Sequence, residues 1–386
     1  MSKVWKAAIC GMLTGAILLS LAACGNTRSQ DEWLRGAGLD AEETPQQLYE
    51  LALREEGPMI VYTESSRIWD VKSSFEVQYP GLTVEIHHIR GIELLEMLKS
   101  NAETGSYHCD VSICSDTNGI IANELVPSGV LYKYVPWDMT DKILPEFQQE
   151  QLEFVRELFV LFYNSEAYTA CPISNWWQLT EEAYYGKVMM PNPQDSTSTY
   201  GFISAVLRSD DYLLNAYVDY YGGPPPLQPA QTASEYFMQR LVDNGLILTS
   251  SGTELIELVG APGQAEPPFG LTVSSKIRSR DAGMQVAVAW DMEPFVGSYS
   301  CNSVMLARGS SHVSTAKLFI RWLLGEADGK GAGYRPYLQE GAWSVRADIQ
   351  SDAAAEIEAF TVLPRDKAYA YQNMDAIHAF WISLYD

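Results

Sequence analysis

The chain has 386 residues, 47% of them hydrophobic, and carries 49 acidic residues against 26 basic ones, a formal net charge of −23. That balance argues against nucleic acid or an anionic membrane surface as the partner, since both repel a polyanion; the charge of a small ligand is set locally and stays open. A chain of this length exceeds what one hydrophobic core usually serves, so two domains or lobes are expected.

Residues 1–23 read as a segment outside the fold. Lys3 and Lys6 precede Ala7–Ala23, an apolar run without charge that is shorter than a typical spanning helix, the pattern of a secretory signal peptide. The run ends in Leu21-Ala22-Ala23-Cys24-Gly25, which resembles the bacterial lipobox. The resemblance implies cleavage before Cys24 and a lipid on its sulfur. The mature protein would then be anchored in the cell envelope on the outer side of the cytoplasmic membrane, or be periplasmic. Loss of the two lysines leaves 49 acidic against 24 basic residues, a net charge of −25. Residues 24–57 are expected to form a polar tether and one helix, with Pro45 in its first turn after Thr44.

Met59–Tyr62 is a short apolar run after Gly57-Pro58 and predicts a buried strand. Thr63-Glu64-Ser65-Ser66 follows, and then Ile68, Val71 and Phe75 at helical spacing, so Ser65 or Ser66 occupies an N-cap position at the carboxyl end of a strand. Such a place is either a plain helix cap or, in an open α/β sheet, a ligand site whose free N–H groups favour an anion. Pro80-Gly81 makes a turn, Leu82–His87 alternates like a strand, and Gly91–Ala102 is helical through Leu94, Leu95 and Leu98. Asp110–Cys114 is the next strand, ending in Ser115-Asp116-Thr117-Asn118, before a helix at Gly119–Leu125 and a short extended stretch at Leu131–Tyr134. Strand–helix alternation of this kind implies parallel sheets with both faces covered.

Phe154–Tyr163 is apolar and β-leaning, and a lobe boundary falls beside it. Lys187–Met190 is strand-like. Asp195-Ser196-Thr197-Ser198-Thr199 then opens a helix at Tyr200–Leu207, with further helices at Tyr212–Tyr221 and Ala233–Asp243. A third strand-to-hydroxyl transition joins Phe269–Val273 to Ser274-Ser275-Lys276-Ile277-Arg278. Gln285–Trp290 and Ser303–Ala307 are strands, the first ending at Asp291-Met292-Glu293-Pro294, and Val313–Leu324 is an amphipathic helix near Ser310, Ser311 and His312. No metal site emerges: there is no CxxC or Cys/His cluster. Cys109 and Cys114 flank a strand that holds them about 16 Å apart, too far to bridge. Pairing of Cys171 with Cys301 stays open. No HExxH, GxSxG, GxGxxG or P-loop occurs, and no nucleophile motif or cofactor is implied.

Taken in order, these pieces resemble the extracellular solute-binding proteins of bacterial ABC importers, in the branch of ferric-iron, hexose-phosphate and aminoethylphosphonate binders. The resemblance rests on Ile60-Val61-Tyr62, on Phe75–Val84 with its Tyr79-Pro80-Gly81, on Asp110-Val111, on Tyr163-Asn164, on Trp177–Thr180 with Gly186-Lys187-Val188 and Met190–Pro193, and on Ala316–Ile320 with Trp322-Leu323-Leu324. It implies a two-lobed α/β fold of the type 2 periplasmic-binding-protein kind, each lobe a mostly parallel sheet flanked by helices, with the ligand cleft between. Residues 58–158 with 295–335 would form lobe 1, and 159–294 with 336–386 lobe 2. It implies a solute-binding lipoprotein without catalysis, a monomer working with an ABC permease.

Where ferric binders keep a His, a Glu and a Tyr pair, the matching positions here hold Ser66, Ser115, Ser274 and Ser275. Neutral hydroxyls are poor ferric ligands, so no metal is expected. The expected ligand-binding residues are Thr63, Ser65, Ser66, Ser115, Asp116, Ser196, Thr197, Ser198, Thr199, Ser274, Ser275, Lys276 and Asp291, with Arg278 as a further donor. Hydroxyls and basic groups at helix starts suit a solute bearing phosphate, phosphonate or carboxylate. Alternatives are a polyamine or other cation at Asp116, Asp291 and Glu293, a ferric ion, or a sensory subunit for a membrane kinase.

Overall fold

The computed structural model describes residues 32–351 and 355–385; Cys24 and the expected signal segment lie outside them. Among the described residues twelve strands form one continuous sheet: β1 Met59–Thr63, β2 Val84–His88, β3 Val111–Ser115, β4 Leu131–Tyr132, β5 Leu152–Asn164, β6 Val188–Pro191, β7 Ile247–Thr249, β8 Phe269–Val273, β9 Val286–Val288, β10 Gly297–Ala307, β11 Ala342–Ser344 and β12 Val362–Leu363. After a helical stretch at 32–37, the described α-helices are α1 Pro45–Ala52, α2 Ile68–Gln78, α3 Gly91–Thr104, α4 Thr197–Arg208, α5 Asp210–Tyr221, α6 Ala233–Asp243, α7 Gly252–Gly260, α8 Val313–Leu323, α9 Lys367–Gln372 and α10 Met374–Ser383.

The strand order β2-β1-β3-β10-β5-β8-β6-β7 shows how two lobes share a sheet. At one end β1 pairs in parallel with β2 and β3, and at the other β6 pairs in parallel with β7 and β8. The long strands β5 and β10 run antiparallel to each other through the middle. The second half of β10 pairs with β3, and the second half of β5 pairs with β8, so each long strand hands the chain from one lobe to the other.

The apolar run over β5 makes this possible, because all thirteen of its residues are buried. Leu152, Phe154 and Val155 enter a core with Phe75, Phe319 and Leu323 from α2 and α8. Further on, Phe159, Leu161 and Tyr163 face a second core with Trp176, Trp177, Phe202 and Phe237, while Leu158, Val160 and Phe162 face Leu255, Ile256 and Val259 of α7 on the other side. A strand covered on both faces reads as continuous rather than alternating hydrophobicity.

The expected elements recur with shifted ends. The Gln285–Trp290 strand is confined to β9, Gly119–Leu125 holds only a π-helical turn at Ile121–Leu125, and Ser303–Ala307 is the end of the longer β10. Thr44 caps α1 by a reciprocal bond with Gln47, Pro45 filling the first turn. Tyr337, Ala342 and Val345 pack in the first core, beyond the boundary expected at 335, because β11 pairs with the lobe 1 half of β5 at Val155–Glu157. Cys171 and Cys301 are both free thiols, Cys301 in the first core and Cys171 against the second.

Candidate functional site

A cleft of about 200 Å³ opens between the lobes. Its walls are mostly strand-to-helix junctions. The β1–α2 junction contributes Glu64, Ser65, Ser66 and Arg67; β2–α3 contributes His88, Ile89 and Arg90; β6–α4 contributes Ser196 and Ser198; β7–α7 contributes Ser250–Thr253; and β8 leads into a 3₁₀ helix at Ser274–Ala282 that contributes Ser275, Lys276 and Arg278. Glu157 and Asn302, from the two crossing strands, also line it. Helix starts carry unsatisfied N–H groups and the positive end of the helix dipole, so several directed at one cleft favour an anion there.

Of the expected ligand residues, Ser65, Ser66, Ser196, Ser198, Ser275 and Lys276 line the cleft, as does Arg278. Ser65 and Ser66 do not cap the helix. The N-cap position is Arg67, with no side-chain cap bond; Ser65 Oγ lies 3.0 Å from Tyr337 Oη, and Ser66 Oγ accepts from Arg278 Nη2 at 3.0 Å. Ser196 does cap α4, accepting from the Thr199 amide.

The other expected residues do not line the cleft. Thr63 Oγ1 accepts from the Ser65 amide at 3.0 Å within the turn. Ser115 is buried behind the cleft wall, where its amide donates to Glu64 Oε1 at 2.7 Å. Asp116 points back to the Ile121 and Ala122 amides and to Gln151, and burial lifts its carboxyl to about 6. Thr199 is engaged with Ser196. Thr197 is buried, its carbonyl accepting from Thr117 Oγ1 and its hydroxyl lying 3.4 Å from Glu64 Oε1. Ser274 is wholly buried, donating to the Gly341 carbonyl and accepting from the Leu158 amide at 3.0 Å. Asp291 is exposed and does not line the cleft. Tyr220 and Tyr221 bond Glu181 on the surface.

The sequence reading had Lys276 and Arg278, but the rest of the charged site, Glu64, Arg67, Arg90 and Glu157, escaped it. Arg67 Nη2 donates to Glu157 Oε1 at 2.5 Å, both side chains being buried, and Asn302 donates to Glu157 Oε2 at 3.2 Å. The Arg67 guanidinium lies 4.2 Å above the Tyr337 ring. Lys276 Nζ donates to Thr253 Oγ1 at 2.7 Å, and burial together with Arg278 and Arg67 lowers its ammonium to about 7. Burial and the Arg67 charge bring Arg278 down to about 10. Burial lifts Glu64 the other way, to about 7. Arg67 Nη1 and Ser275 Oγ are buried at the cleft wall with no hydrogen-bond partner among the described residues. Arg67 sits in the turn that the hydroxyls drew attention to; the β7–α7 junction was legible in Ser251 and Glu254, the spacing of a capping pattern before an apolar run.

The lobes touch around the cleft. Arg90 pairs with Asp195 at 3.3 Å, Ser66 with Arg278, and Glu64 with Thr197. A side chain at Gly91 would run into the Glu64 carboxyl and Thr197, so glycine there permits this approach.

Comparison with known structures places this architecture. The periplasmic binding protein P5PA is similar over 86% of this chain and 100% of its own, at 13% identity and a TM-score of 0.65. The periplasmic binding protein AfuA from Actinobacillus pleuropneumoniae, solved with exogenous fructose-6-phosphate bound, covers 85% and 98% at 16% identity and a TM-score of 0.65. Iron-bound HitA from Pseudomonas aeruginosa covers 85% and 99% at 15% identity and a TM-score of 0.63. The chain has the two-lobed fold of periplasmic binding proteins. No protein-family model and no curated protein sequence matches it. In this fold the cleft described above lies between the lobes, at the carboxyl ends of the strands, the usual ligand position in open α/β sheets.

Among the described residues no group of three or more His, Cys, Asp or Glu gathers to hold a metal ion. The lining combines hydroxyls, the guanidiniums of Arg67, Arg90 and Arg278 and the Lys276 ammonium with the His88 imidazole and the carboxyls of Glu64, Glu157 and Asp195; its basic groups without a carboxylate partner suit an oxyanion.

Proposed function

We propose that this protein is an extracytoplasmic solute-binding lipoprotein of an ABC importer. It captures a small organic solute bearing a phosphate, phosphonate or carboxylate group between its lobes and presents the closed form to a membrane permease. The fold supports binding between hinged lobes, a closure of the kind found in periplasmic binding proteins. The observation that carries the anionic solute is the guanidinium of Arg67. Only 6% of this residue is exposed, yet its Nη1 lacks a hydrogen-bond partner among the described residues, as does Ser275 Oγ elsewhere in the same cleft lining. Buried donors without acceptors are rare in native proteins, and a bound oxyanion supplies the missing acceptor. Closure brings Arg67 and Ser66 of lobe 1 against Ser275, Lys276 and Arg278 of lobe 2, so one anionic group would hold both lobes.

The testing experiment is a thermal-shift screen of the mature protein over sugar phosphates, phosphonates, dicarboxylates, polyamines and ferric salts. A specific ligand at a hundred times its dissociation constant adds about 2.7 kcal/mol of stability. Stabilisation by members of the first three classes is expected. Stabilisation confined to polyamines or ferric salts would overturn the reading.

A further inference from the structure

The charges in the cleft do not balance. Arg67 is neutralised by the buried Glu157, and Arg90 by Asp195. Arg278 and Lys276 remain on the basic side, against Glu64, which burial shifts toward its neutral form and which bonds the Ser115 amide and Thr197 rather than either cation. Arg278 donates to the Ser275 carbonyl and to Ser66 Oγ, and Lys276 to Thr253 Oγ1; neither makes an ion pair with a carboxylate among the described residues. Two cations without a carboxylate partner in contact share the cleft lining, where low dielectric makes their mutual repulsion costly.

Building on the anionic-solute reading above, we propose that the cleft selects a dianionic head group over a monoanionic one, and that Lys276 is the residue that sets this preference. Arg278 alone matches one negative charge; Lys276 supplies the second. The groups acting on Lys276 come from every element around it. Arg278 lies on its own 3₁₀ helix and Arg67 at the start of α2, while Glu157 of β5 and Glu257 of α7 oppose them. Burial acts most strongly and the two cations reinforce it against the acids, so Lys276 in the empty cleft gives up its proton far more readily than a surface lysine. A dianion reverses that balance and favours the charged ammonium, so binding takes up a proton when the solution is alkaline to neutrality.

The test uses the mature protein with sulfate as the dianionic probe and nitrate as the monoanionic one, titrated calorimetrically at constant ionic strength. Sulfate stays a dianion across pH 7.5–9.5, and Glu64, the cleft carboxyl lifted to about 7, is already largely ionised throughout that window. Wild-type protein should bind sulfate more tightly than nitrate, with sulfate affinity falling across the window. Lys276→Met should lower sulfate affinity roughly ten- to a hundred-fold, change nitrate affinity less than about three-fold, and lose most of the pH dependence. Lys187→Met, at an exposed lysine paired with Glu266, should leave both affinities unchanged. If Lys276→Met keeps the wild-type ratio of sulfate to nitrate affinity and the wild-type pH profile, the assignment is overturned while anion binding stands. If neither anion binds wild-type protein, the anionic reading of the cleft falls with it.

Discussion

Ser274 and Ser66 are adjacent to one another in chemistry and opposite in role, and replacing Ser274 by alanine tests the distinction. The Ser274 hydroxyl is fully buried and joins two backbone groups from distant segments, the Gly341 carbonyl and the Leu158 amide. Leu158 lies at the centre of β5, the strand that ties the lobes together, where water does not reach. Ser274→Ala removes both bonds and leaves a buried donor and a buried acceptor. Each orphaned group costs about 1–3 kcal/mol, and relaxation recovers part of the sum, so a loss of about 2–4 kcal/mol is expected. Urea unfolding followed by tryptophan fluorescence measures it, with sulfate titration of the same variant at a temperature where it is folded. Anion affinity should stay within about two-fold of the parent, because Ser274 does not line the cleft. A variant as stable as the parent but unable to bind the anion would refute the structural assignment and return Ser274 to the site.

Three further outcomes follow from the geometry. Arg278→Ala removes a cation and its bond to Ser66 from the cleft, and should weaken sulfate binding roughly ten- to a hundred-fold by calorimetry, with little change in unfolding midpoint. Burial lifts Glu64 from its ordinary value to about 7, so the folded protein holds an extra proton between about pH 4.5 and 7; the stability this contributes is present below that window and is lost as the pH rises through 7. Glu64→Gln should therefore lose less stability than the parent between pH 5 and pH 8, and parallel urea-midpoint profiles would count against the burial argument. Cys24→Ser should release the protein from membranes or block its processing, as read by fractionation and N-terminal mass; unchanged retention and unchanged mass would remove the lipoprotein proposal.

The elements of the fold were largely legible because its signals are local. The β1–α2 transition shows in Met59–Phe75, and α6 appears with the bounds Ala233–Asp243 expected from its pattern. The second half of β10 was visible and its first half was not, since Gly297–Asn302, Gly-Ser-Tyr-Ser-Cys-Asn, has no apolar run and is held as a strand by pairing with β5. The β7–α7 unit went unread for the same reason: three residues of strand carry little periodicity, and parallel pairing to β6 defines them.

The site was legible in part. Hydroxyl clusters at helix starts are visible in a sequence, and six of the expected residues do line the cleft. Which hydroxyl faces solute and which holds backbone depends on one residue of register. Ser275 lines the cleft, whereas its neighbour Ser274 bonds Gly341; Ser196 and Ser198 face in, and Thr197 and Thr199 do not. Arg67 and Glu157 are 90 residues apart in sequence, and their pairing exists only through the fold.

A crystal of the mature protein soaked in selenate gives the most direct measurement of the central claim, because selenium scatters anomalously and mimics a tetrahedral dianion. The account predicts an anomalous peak in the cleft between the guanidiniums of Arg67 and Arg278 and the ammonium of Lys276, within hydrogen-bond distance of Ser275 Oγ. Selenate bound elsewhere on the molecule, with the cleft holding only water, would contradict it.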